Sequence, residues 1–120
     1  MQLPATWPGI VLLVLLVCAI LGGAVTAFVR LTDRNTAIDI GLLHGRLGIT
    51  GILLLFLLMM TGNEFNQSIR PALGFLVLTV IAGAALYFII RRKGILPKTI
   101  ILAHGAFAVI SLVVLLGVLS

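Results

Sequence analysis

The stretch IDIGLLHGRLGITGILLLFLLMMT, residues 38–61, decides the fold, because it is long, apolar and interrupted by one histidine, His44. It matches the roughly 20 apolar residues needed to cross a bilayer core at 1.5 Å per residue. A polar ring inside such a segment is costly unless it has a task. Sliding the sequence forward by 60 residues brings a second apolar segment into register and places His104 on His44, each histidine followed by glycine. The chain has 120 residues and these are its two histidines, so each half carries one at the same place.

Outward from this pair, the whole chain divides in the same way. Four apolar blocks are predicted as helices, Gly9–Val29, Ile38–Thr61, Arg70–Ile90 and Pro97–Leu119, joined by short connections. Hydrophobic residues make up 62% and charged residues 9%, against the roughly 45–50% and 25% of soluble domains. The expected fold class is therefore all-α: one integral membrane domain over residues 1–120, a four-transmembrane-helix bundle.

The halves align without a gap at 11 of 60 positions. Leu13, Leu16 and Val17 fall on Leu73, Leu76 and Val77, and Gly23-Ala24 falls on Gly83-Ala84. Phe28 falls on Phe88, and Ile40, Leu42, His44-Gly45 and Leu55 fall on Ile100, Leu102, His104-Gly105 and Leu115. The bundle is thus expected to consist of two tandem two-helix repeats, parallel in the membrane rather than inverted.

Charge sets the expected orientation. The net charge is +5, carried by Arg30 and Arg34 around the first connection and by Arg91, Arg92, Lys93 and Lys98 around the third. The second connection offers Arg70 alone. By the positive-inside rule, connections one and three are cytoplasmic and both termini lie outside, as in a bacterial inner membrane. The basic excess is then a topology signal with membrane lipids as neighbours, and no nucleic acid is expected. Arg91–Lys93 is read as a solvated loop. Trp7 is placed as an interfacial anchor, and Cys18, alone and mid-membrane, offers no intrachain disulfide or thiolate cluster. The first block has no basic region before it and reads as a span, not a signal peptide.

Both histidines lie six or seven residues into segments that run outward from the cytoplasmic face, roughly 9–10 Å along the axis. Imidazoles at one depth on two helices suit the two axial positions of a planar cofactor. Positions three, four and seven away share a helix face. Around His44 these include Gly41, Gly48 and Gly51; around His104 they include Ala108 and Ser111. Small residues there leave room for a macrocycle, and equally allow close helix packing. Arg46, about 200° around from His44, snorkels toward Asp39, or else it, or Arg30, Arg34 and Lys98 at the cytoplasmic rim, partners haem propionates. Metal ligation by histidine alone falls short for zinc, which takes three or four protein ligands. The outer loop, with Asn63, Glu64, Asn66 and Gln67, has no metal spacing, and Met59 and Met60 read as filler.

On these two His-Gly dipeptides and the four-helix topology, the chain resembles the four-helix membrane b-type cytochromes. It is most similar to one half of haem A synthase or to a small cytochrome b561-like module. The resemblance covers the whole chain in topology and implies haem ligands on the second and fourth helices, at His44 and His104. It departs from haem A synthase in having no evident second four-helix unit or acidic residue in the first extramembrane loop. It departs from the b561 pattern in lacking histidines for a second haem, so neither family's activity carries over.

The expected function is membrane electron transfer by one bis-His haem b per chain, near the cytoplasmic side, as a redox carrier or oxidoreductase subunit rather than a self-sufficient enzyme. A redox partner subunit, a quinone or a homodimer completes the route across the bilayer. The alternatives are a cofactor-free structural or assembly subunit whose histidines link helices, a proton or quinone site, and a small transporter. Transport coupled to protons needs a membrane-embedded acid, whereas Asp33, Asp39 and Glu64 lie at segment ends or in connections.

Overall fold

The structure, a computed structural model, describes residues 7–34, 38–61 and 70–119. Four helices account for nearly all of them: α1 (Trp7–Leu31), α2 (Ile38–Thr61), α3 (Arg70–Lys93) and α4 (Lys98–Leu119). Each is long and apolar enough to cross a membrane, the architecture of a multi-pass membrane protein. The interfacial position of Trp7, the Asp39 side chain that Arg46 was expected to approach, and the polar segment Asn63–Gln67 lie outside the described residues.

Two helix ends fall later than the apolar blocks suggest, and local chemistry says why. Residue Asp33 takes a left-handed backbone (φ 62°), so its N–H reaches the Arg30 carbonyl and the Arg34 N–H reaches the Val29 carbonyl, both at 3.1 Å. That is a Schellman close, which satisfies the last free carbonyls and carries α1 through Arg30 to Leu31. At the end of α3, Gly94 has φ 64° and its N–H bonds the Ile90 carbonyl at 3.1 Å. Arg91, Arg92 and Lys93 are therefore the last helical turn rather than a solvated loop. Their charges suit the negative end of the helix dipole. Arg91 and Arg92 also lie over the rings of Tyr87 and Phe88, each 5.7 Å from the centroid. Helix α4 starts one residue later than its apolar block, with the Pro97 carbonyl accepting its first bond from Ile101.

The helices form two hairpins, α1–α2 and α3–α4, each packed closely within itself and meeting the other along narrower seams, α2 with α3 and α1 with α4. Helices α2 and α4 consequently stand on one diagonal and α1 and α3 on the other. At the end opposite the basic connections, Leu12, Leu55, Ala72 and Leu115, one from each helix, form the buried core. Large apolar side chains such as Leu21, Phe28, Leu53, Met60 and Val113 point outward, as lipid contact requires.

Burial recurs at the 60-residue spacing. The sequence of buried, half-buried and exposed positions over residues 21–30 is the same as over 81–90, and that over 51–57 is the same as over 111–117. Corresponding residues of the two hairpins therefore face corresponding surroundings. The histidines occupy one such pair of positions, toward the basic end.

Candidate functional site

The site is built from α2 and α4 across the diagonal, with α1 and α3 holding the rings in place. His44 Nδ1–H donates to the carbonyl of Ala19 on α1 at 2.8 Å. His104 Nδ1–H donates to the carbonyl of Thr79 on α3, also at 2.8 Å. Ala19 and Thr79 are themselves 60 residues apart. A carbonyl only accepts, so each neutral ring carries its proton on Nδ1 and keeps a lone pair on Nε2. An imidazole anchored in this way presents a fixed nitrogen to a metal.

Glycine makes these bonds reachable. A Cβ on Gly23 would lie 2.8 Å from His44 Cε1, and one on Gly83 would lie 3.0 Å from His104 Cε1. Both values are inside van der Waals contact, so the rings rest on bare backbone one turn beyond the carbonyls they bond. Gly22 adds room beside the His44 Cβ.

The two rings meet across the bundle with centroids 5.9 Å apart and planes at 87°. A metal bonded to two imidazole nitrogens at about 2.0–2.1 Å needs ring centres about 6.4 Å apart, so the observed 5.9 Å is about half an ångström short. The same separation also falls within the range of a direct edge-to-face ring pair. Among the described residues, no three or more His, Cys, Asp or Glu side chains gather as a metal site. Two imidazoles are a sufficient donor set for a metal whose macrocycle supplies the remaining nitrogens.

The small residues expected around the histidines divide into two groups. Gly48 has open space where a Cβ would stand, and Ala108 is half-buried at the corresponding place in α4. Gly51 instead packs on α1, where a Cβ would touch Leu16 at 3.4 Å. Ser111, buried, returns its hydroxyl to the Phe107 carbonyl of its own helix at 2.6 Å. These two serve helix contact. Gly41 lies under Arg30, with its would-be Cβ 3.2 Å from the guanidinium Nη2.

The basic residues also separate. Arg30 is half-buried in the last turn of α1, and its Nε is buried with no hydrogen-bond partner among the described residues. Lys98 is joined to Asp33 at 2.8 Å in an exposed ion pair that ties the first connection to the start of α4. Arg46 is exposed on α2, apart from the ring pair.

Sequence reasoning found the histidines but passed over the groups that orient them. Gly23 and Gly83 stand in the alignment of the halves, where nothing marks them as seats for a ring. Ala19 and Thr79 contribute backbone carbonyls, which no side-chain pattern reveals. Gly45 and Gly105, the glycines that made the His-Gly signal, have nothing within 4 Å of a Cβ.

Comparisons with protein-family models, with curated proteins and with solved structures return no match.

Proposed function

We propose that this chain is a membrane electron-transfer protein holding one b-type haem between His44 on α2 and His104 on α4. The observation that carries the reading is the paired arrangement of the rings. Each donates Nδ1–H to a backbone carbonyl, leaving Nε2 for a ligand, at a centroid separation within about half an ångström of what one metal between them needs. The donor set, the glycine notches that admit the rings and the buried Arg30 nitrogen, without a partner among the described residues, all fit a haem with its carboxylates toward the basic end. Gly48 and Ala108 provide relief beside the rings, and Arg30, Lys98 and Arg46 supply the positive charge at that end.

Held by His44 and His104, haem b would supply a one-electron couple. The protein's part is to fix both rings, to exclude water with apolar side chains, and to set the potential through the Nδ1 bonds and the nearby cations. The electron donor and acceptor are then a partner subunit, a quinone or a second copy of the chain. In this reading the halves are tandem repeats related by an axis along the membrane normal. Both termini lie outside, and the basic connections lie on the cytoplasmic face of a bacterial inner membrane.

A specific observation favours one second reading, a cofactor-free assembly subunit. The ring separation also suits a direct aromatic contact, and each Nδ1 already has its partner. The absorption spectrum of protein purified after haem-replete expression separates the two. The haem reading expects a Soret band and a reduced α band, both lost in His44→Leu and in His104→Leu. A colourless protein whose histidine variants still assemble supports the second reading.

A further inference from the structure

One charged group on the inner side of the bundle has no counterpart in the other hairpin. Arg30 is half-buried, its Nε is enclosed and without a hydrogen-bond partner among the described residues, and its Nη2 lies over α2 where Gly41 leaves out a side chain. Sixty positions on, the same two places hold Ile90 and Ile101. There two branched apolar chains fill the space that an arginine and a glycine share in the first hairpin. The neighbouring carboxylate of Asp33 is engaged with Lys98.

A guanidinium partly drawn from water at the membrane boundary is stabilised when an anion pairs with it. Its planar fork matches the two oxygens of a carboxylate, a geometry that a lysine ammonium does not reproduce. We propose that Arg30, seated in the notch left by Gly41, is a one-sided carboxylate site that takes a propionate of the haem held by His44 and His104. This proposal rests on the haem reading above. It makes an otherwise two-fold site lopsided, with Arg30 gripping the carboxylate in the first hairpin and Ile90 and Ile101 holding the corresponding places in the second.

The test compares haem b with its dimethyl ester, which keeps the ring and metal but removes both carboxylate charges. Each is titrated into the cofactor-free full chain in neutral phosphatidylcholine nanodiscs, and again in nanodiscs containing phosphatidylglycerol, with affinity read from the Soret band. The wild-type protein is expected to prefer the acid over the ester by about tenfold or more, as a charge-assisted pair would give. Arg30→Met should bind both forms alike, and Arg30→Lys should recover only part of the preference. Phosphatidylglycerol should leave these ratios unchanged. Equal wild-type affinity for acid and ester overturns the proposal and leaves the haem reading standing. So does a preference that persists in Arg30→Met. A preference abolished by phosphatidylglycerol assigns Arg30 to lipid phosphate and overturns it as well. Failure of both forms to bind removes the haem reading, and this proposal with it.

Discussion

His44 and His104 meet nearly at right angles, ring planes 87° apart and centroids 5.9 Å apart, although they lie on helices that stand diagonally across the bundle. That meeting depends on α1 and α3, which contribute carbonyls and bare backbone rather than side chains. The mutations that discriminate best are therefore on the helices without histidine.

Gly23→Ala should displace the His44 ring. Its new methyl would stand 2.8 Å from Cε1, so the overpacking, typically about 1–3 kcal/mol, outweighs the roughly 1 kcal/mol that alanine gains over glycine in a helix. Gly83→Ala, at 3.0 Å, should be similar and somewhat milder. Gly45→Ala meets nothing within 4 Å and should be neutral or stabilising by up to about 1 kcal/mol. Unfolding in mixed micelles measures the stabilities. Nitrogen NMR of the imidazoles reports whether the Nδ1–H bond to Ala19 or Thr79 survives, with or without haem.

The core opposite the site should be sensitive to volume. Leu55 is 1% exposed, and Leu55→Ala should cost on the order of 2 kcal/mol or more through the cavity it leaves. Leu53→Ala, two residues earlier and 62% exposed toward lipid, should change stability little. Equal losses in the same unfolding assay would contradict this packing.

The Asp33–Lys98 pair should matter less than its 2.8 Å distance suggests. Both side chains are exposed, so Lys98→Met should cost under about 1 kcal/mol, and less at high salt. Backbone is the stronger constraint on this residue. With φ at 62°, Asp33→Gly should be tolerated, while Asp33→Val should cost about 1–2 kcal/mol. Thermal unfolding of the three variants checks the order.

Sidedness has a direct readout. In a Cys18→Ser background, Arg92→Cys in the last turn of α3 should react with a membrane-impermeant maleimide only when the cytoplasmic face is open to it. Labelling from the outer face of intact cells would reverse the proposed topology.

The sequence carried the four helices because spanning length and apolar composition are properties of single segments. It carried the histidine pair because the halves align without a gap. Helix ends were legible only in part. Asp33 and Gly94 set the stops through left-handed backbone, and hydropathy lost track of α3 once the charged turn Arg91–Lys93 began. The groups orienting the histidines were hidden for a different reason. A carbonyl at Ala19 or Thr79 has no residue signature, and a glycine that admits a ring looks like one that admits a helix. Likewise Gly51 and Ser111 share the histidine faces by helical spacing, yet go to Leu16 and the Phe107 carbonyl. Periodicity assigns a face but not the neighbour that meets it.

The most direct measurement is electron paramagnetic resonance of the oxidised, haem-loaded protein. Two imidazoles held near 87° should give one low-spin ferric signal of the strongly anisotropic kind expected for perpendicular axial rings, and that signal should vanish in either single histidine variant. A high-spin signal, or a preparation with no haem signal after haem-replete expression, would contradict bis-histidine ligation by His44 and His104.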